Sequence, residues 1–421
     1  MTEVSAQAPR ADGPVVPDGF PRQAGPPPGT GPEPAGPGRP GVAEPVRRAV
    51  RAFTGRALGR HQAAVVRIGF GLVWLAHLLR EWPHRRVLYG DRSPWSTELA
   101  DRLLSDNGAF TVLPWFGGRL WFELVYHLAV LAALAVLLGW RTRASTVLFL
   151  VTVLSLQNRD VFLGDGGDNV VHLMAVYLVF TRCAEVWSLD ARPGRARTGP
   201  SGVVLWAVLG AVLAACQYGG FAGGSLTWTG RTFPYVGWSP LFWGLWAVAG
   251  LWWLLGRLRP DGEPRAVLDA LANMVHNCAM LVIAVEVVLI YATAGWYKVQ
   301  GSRWQDGTAL YYPLHLDYFT PWPGLSALVG SMLLPVFLIS YGTVIAQVAF
   351  PFTLLDRRVK NALLAVMMLE HAGIAVVLGL PVFSLAMIAA DAVFLPTGAL
   401  LWAAARLGRV RGGGFRRRPA P

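Results

Sequence analysis

The sequence predicts an all-α, polytopic transmembrane bundle of about ten spans with both termini in the cytoplasm. Three observations predict it. Residues of the set AVILMFWYC fill 54% of the 421 positions and charged residues only 15%, too little polar surface for a water-soluble chain. Apolar runs near the spanning length recur throughout, and inside hydrocarbon each segment must satisfy its own backbone, which a helix does alone. Arginine is concentrated in alternate connections, the pattern that orients helices across a bilayer.

The elements follow in order. Residues 1–55 are rich in Pro, Gly and Ala, as in GPPPGTGPEPAGPGRPG. They have almost no large apolar side chains to bury, so they read as a disordered cytoplasmic tail without the apolar core and cleavage site of a signal peptide. Residues 56–405 form the transmembrane domain, with spans expected near 62–80, 120–139, 143–157, 169–181, 203–222, 239–256, 275–296, 325–355, 361–379 and 382–404. The two around 143–181 barely reach spanning length. The 325–355 segment is overlong, with Pro335 and the Ser340-Tyr341-Gly342 run as the place for a break. A basic cytoplasmic tail, residues 406–421, closes the chain.

With the N-terminus inside, the cytoplasmic connections contain Arg141 and Arg143; Arg182, Arg192, Arg195 and Arg197; Arg257, Arg259 and Arg265; and Arg357, Arg358 and Lys360. The long 81–119 loop mixes both signs, and long loops obey the positive-inside rule weakly. The net charge of +12 therefore reads as topology and not as nucleic-acid binding. Cys183, Cys216 and Cys278 are far apart and form neither a disulfide framework nor a zinc motif.

This topology carries the informative polar segments to the outer face: QNRDVFLGDGGDN (157–169), FAGGSLTWTGRTFPYVGWSP (221–240) and WYKVQGSRWQDG (296–307). Trp95, Trp115, Trp228, Trp238, Trp296, Trp304 and Trp322 crowd the same side, as an interfacial belt does. Tyr291, Gly295 and Lys298, spaced i, i+4 and i+7, share one helical face. Lys298 reads either as a lysine snorkelling to headgroups or as a buried amine acting as a base. In the 157–169 segment, Asn158, Arg159, Asp165 and Asp168 are binding candidates. Capping by Asp168 or Asn169 and a glycine turn explain the segment equally well, and two aspartates alone are no metal signature. Glu286, His371 and Asp391 fall near the middles of their spans, where ionisable groups need partners. His371 and Asp391 are each ten residues from Pro381, which predicts a hydrogen bond between them across a helical hairpin.

RIGFGLVWLAHLL around Arg67, NRDVFLGDGGDNVVHLMAVYLVF, YATAGWYKVQGSRWQDGTALYY and EHAGIAVVLGLPVFSLAMIAADAVFLP together resemble, in sequence and order, the HTTM family, the transmembrane domain that vitamin K-dependent γ-glutamyl carboxylase shares with many bacterial membrane proteins. The resemblance covers most of residues 60–400. It implies a bacterial-type plasma-membrane protein in which Lys298 matches the lysine that deprotonates vitamin K hydroquinone, with a vitamin K-like quinone as the implied cofactor. The match at Lys298 is local, since the spacing to Trp304 is one residue longer than in the carboxylase. Two departures go with the resemblance. Arg159 stands where the carboxylase has a catalytic histidine. The chain also ends soon after Phe394, where the carboxylase continues into a lumenal domain, so glutamate carboxylation is not carried over.

Three function classes follow. The first is a membrane protein that binds a quinone or lipid at an extracytoplasmic site, with Lys298 as base and Asn158, Arg159, Asp165, Asp168, Tyr291 and Trp304 as contacts. The second is a transporter or channel with Glu286, His371 and Asp391 along its path. The third is a non-catalytic membrane partner in secreted-peptide maturation or immunity.

Overall fold

The computed structural model describes residues 43–107, 109–192, 200–219 and 237–412. The tail before residue 43, most of the 221–240 segment and residues 413–421 lie outside the described residues. The chain divides into two compact units, Met1–Ala49 and Val50–Pro421, and the account below concerns the second. In chain order the helices are α1 (Ala43–Gly55), α2 (Arg60–Glu81), α3 (Arg85–Leu88), α4 (Thr97–Asn107), α5 (Arg119–Leu138), α6 (Thr142–Gln157), α7 (Gly166–Phe180) and α8 (Pro200–Tyr218). There follow α9 (Trp238–Leu258), α10 (Glu263–Gln300), α11 (Ser302–Gln305), α12 (Pro323–Gly330), α13 (Leu333–Thr353), α14 (Arg357–Val377), α15 (Pro381–Asp391) and α16 (Thr397–Gly412). Among the described residues there is no strand. Residues 43–55, assigned to the tail from sequence, form α1.

Among the described residues six helices are long and apolar enough to cross a membrane: α2, α5, α9, α10, α13 and α14. A seventh results if Pro381–Phe394 and Thr397–Leu407, bent by 118°, count as one broken span. The helices at Thr142–Gln157, Gly166–Phe180 and Gly202–Tyr218 are apolar but shorter; at about 1.5 Å per residue they fall below the roughly 30 Å of a hydrocarbon core. Outer faces are apolar too: Leu338, Ile345 and Leu369 are 64%, 66% and 72% exposed, a surface suited to lipid and costly in water.

Two predicted spans are corrected. The 325–355 segment breaks at Ser331–Met332, between α12 and α13, and not at Pro335 or Ser340–Gly342. Pro335 lies in the first turn of α13, where a missing N–H costs nothing. The 382–404 segment is broken by Pro396. Leu395 before it is extended, with φ −64° and ψ 135°, as a residue preceding proline must be. Asp391 consequently ends α15 and is not mid-helix.

One end of the bundle is tied by buried arginine. Arg67, 0% exposed, donates to the carbonyls of Val136, Leu137, Cys183 and Trp187, which satisfies carbonyls left over at the end of α5. At the same end the Arg182 N–H donates to His276 Nδ1 at 2.9 Å. Further along, the Phe383 backbone lies against Gly167 in the first turn of α7, and the Phe383 ring packs on His371, whose ring is 6.0 Å from Tyr291 on α10. α7 and α10 are therefore antiparallel, and the first turn of α7 lies toward the Lys298 end of α10.

Candidate functional site

The site is assembled where α13 packs between α10 and α14. Gly295 sets the approach: a Cβ there would stand 2.9 Å from Val348 Cγ2 and 3.1 Å from the Val348 nitrogen, so only glycine allows this spacing without displacement. One turn on, Lys298 Nζ donates to Gln347 Oε1 at 2.8 Å. Gln347, 5% exposed, donates through Nε2 to Glu370 Oε1 on α14 at 2.9 Å. The second oxygen, Glu370 Oε2, is buried with the Thr343 side chain as its polar neighbour, outside ideal hydrogen-bond geometry. Lys298 and Glu370 are thus linked through an amide and do not form a contact ion pair.

Above this network Lys298 Nζ lies 5.2 Å from the Trp304 ring centroid, within cation–π range. The short helix α11 that holds Trp304 is fixed to α13, since Tyr341 Oη donates to the Gln305 carbonyl at 2.8 Å. Asp306 closes the loop. Its carboxylate accepts from the Thr308 hydroxyl and, at 2.9 Å, from the Thr308 N–H. These bonds, with a weaker one from Arg303, hold Asp306 below the usual carboxylate range.

Two turns deeper, on the same face of α10, Tyr291 Oη reaches both oxygens of Asp391 at 3.0 and 2.9 Å. Tyr291 is 1% and Asp391 0% exposed. The predicted hydrogen bond between His371 and Asp391 is not formed; the carboxylate is paired with Tyr291 instead. His371, 2% exposed, has neither ring nitrogen partnered among the described residues. Its ring packs 6.0 Å from Tyr291 and 5.5 Å from Phe383. Glu286 is half-buried and makes no hydrogen bond or ion pair among the described residues.

Lys298, Trp304 and, deeper, Tyr291 are therefore brought together, whereas the 157–169 segment joins them only in depth. Asn158 donates to the Phe110 carbonyl at 2.8 Å, and Arg159, 5% exposed, donates to the Trp95 carbonyl at 2.9 Å. Asp165, not Asp168 or Asn169, is the N-cap of α7: Oδ1 accepts from the Gly167 and Asp168 N–H groups, and Asp168 Oδ2 accepts from the Asp165 N–H. This reciprocal capping satisfies donors that any helix start leaves open.

Sequence reasoning missed Gln347 and Glu370. Glu370 adjoins His371 in the motif EHAG, and Gln347 is a lone amide in an apolar run. The rule that polar groups inside spans need partners applied to both. No protein-family model matches the chain, and no curated protein or solved structure matches it.

Proposed function

We propose that this chain is an HTTM-like multi-pass protein of a bacterial-type plasma membrane that binds a quinone or lipid at an extracytoplasmic site and uses Lys298 as a base. Both termini face the cytoplasm in this reading, with the arginine end of the bundle inside. The three shorter apolar helices complete about ten spans where the bilayer thins to meet them.

The observation that supports the reading best is the chain of hydrogen bonds from Lys298 through Gln347 to Glu370 beneath Trp304. A lysine that merely snorkels to headgroups has no use for two polar partners inside a span. In the proposed step the neutral amine takes the proton of a ligand hydroxyl. The N–H bond forms as the O–H bond breaks, the oxygen keeps the electron pair, and the ammonium is held by Gln347 Oε1 and the Trp304 face. The Glu370 carboxylate supplies compensating charge two hydrogen bonds away, through the Gln347 amide.

A transporter path through Glu286, His371 and Asp391 gains less support. Asp391 is occupied by Tyr291, and Glu286 has no bond to either of the others. Mass spectrometry of lipids and quinones copurifying with the full chain tests the proposal. A quinone or lipid present with wild type and lost in Lys298→Ala is expected. A ligand retained equally by both, or absent from both, returns weight to a transporter or a non-catalytic membrane partner.

A further inference from the structure

Helix α1 segregates its side chains by charge. At about 100° per residue, Val46, Ala49, Val50 and Phe53 fall on one face, and Arg47, Arg48 and Arg51 fall on the opposite one. Val46 and Val50 are 55% and 56% exposed, so the apolar face is not packed into the protein. Glu44 pairs with Arg47, and Arg48, Arg51 and Arg56 are exposed. The end of α1 is held by α10. Asn273 Nδ2 donates to the Thr54 carbonyl at 3.0 Å, and Asn277 Nδ2 donates to those of Phe53 and Arg56 at 2.7 and 3.0 Å. The Leu58 N–H donates to Asn277 Oδ1 at 2.8 Å. His276 Nδ1 accepts from the Arg182 N–H, which leaves Nε2–H to donate to the Leu58 carbonyl at 2.8 Å. Asn273, His276 and Asn277 are all buried, and their bonds satisfy backbone groups that the end of a helix leaves open.

The level of this clasp along α10 gives the level of the end of α1. Between Asn277 and Lys298 stand twenty residues, 278–297, with Glu286 as their one charged group. A helix of that length rises about 30 Å, the thickness of a hydrocarbon core. With Lys298 at one surface of that core, the clasp and the last turn of α1 stand at the other, the arginine end. We infer that α1 lies in that surface as an anchor for anionic phospholipid, with Val46, Val50 and Phe53 among the acyl chains and Arg48, Arg51 and Arg56 on the phosphates. The arginine end faces the cytoplasm in the proposed topology, where the leaflet carries anionic lipid. A nucleic acid would meet the arginines and leave the apolar face in water, and a zwitterionic bilayer would meet the apolar face and leave the arginines without net counter-charge. The inference rests on the multi-pass reading of the chain and not on the chemistry given to Lys298.

Hydrogen exchange of the full chain in lipid nanodiscs tests this, read on peptides from 43–55 and, as an internal standard, from 278–297. Nanodiscs of phosphatidylcholine are compared with nanodiscs that also contain phosphatidylglycerol. The α1 amides are expected to exchange more slowly with the anionic lipid, and Arg48→Gln and Arg51→Gln should each give back about fivefold of that slowing. Glutamine nearly matches arginine in helix propensity, so the intrinsic helicity of α1 is kept. Equal exchange of α1 in the two lipids, or slowing that survives both substitutions together, overturns the inference. Protection of 278–297 in either case shows that the anchor alone has failed. Free exchange of 278–297 in both nanodiscs refutes the multi-pass reading and the anchor with it.

Discussion

The α6–α7 turn and the Lys298 crossing lie at the same end of the bundle, and both are polar, glycine-bearing segments between apolar runs, yet they use their side chains differently. In the turn, Asn158, Arg159 and Asp165 bond to backbone. At the crossing, Lys298, Gln347 and Glu370 bond to one another, and Tyr291 bonds to Asp391. A side chain paired to backbone completes a helix end or a loop. Side chains paired to each other inside a span, with both His371 nitrogens unpartnered among the described residues, are polar groups that complete no helix end or loop.

The sharpest way to break this comparison is Tyr291→Phe, which leaves the buried Asp391 carboxyl with no donor. A loss of roughly 3 kcal/mol is expected, read as unfolding free energy in detergent; a cost no greater than that of Asp165→Ala would remove the distinction. Gly295→Val should follow, at about 1–3 kcal/mol from overpacking against Val348, and it should weaken ligand retention because Lys298 no longer reaches Gln347. Asp165→Ala should cost about 1 kcal/mol as a lost N-cap and leave the copurifying ligand unchanged. The smallest effect concerns pH. Asp306 has its folded value depressed by Thr308, so its contribution is present above the ordinary carboxylate range and is lost as pH falls through the depressed value. Amide exchange of Thr308 should accelerate over that acidic window and stay flat above it.

Most of the helices were legible because apolar composition over some twenty residues is a strong signal. Their breaks were less so. Pro335 and Ser340–Gly342 look like interruptions, but a proline in a first turn is harmless, while the real break at Ser331–Met332 has no proline at all. For the site, the spacing of Tyr291, Gly295 and Lys298 gave one helical face correctly, because that depends only on local periodicity. Equal distance from a turn suggested His371 as the partner of Asp391. The choice of Tyr291 instead depends on a third helix whose register no local pattern encodes. Glu370 and Gln347 were visible as polar residues in apolar runs, and only the packing of α13 between α10 and α14 reveals that they meet.

The central claim is that Lys298 takes a proton from a bound hydroxyl, and the absorbance of a naphthohydroquinone bound anaerobically to the reconstituted protein tests it most directly. Wild type and Asp165→Ala should develop the red-shifted band of the hydroquinone anion. Lys298→Ala should not, and neither should Lys298→Arg, whose guanidinium keeps the charge but does not act as a base. The band appearing in Lys298→Arg, or failing to appear in wild type with ligand bound, would contradict the assignment.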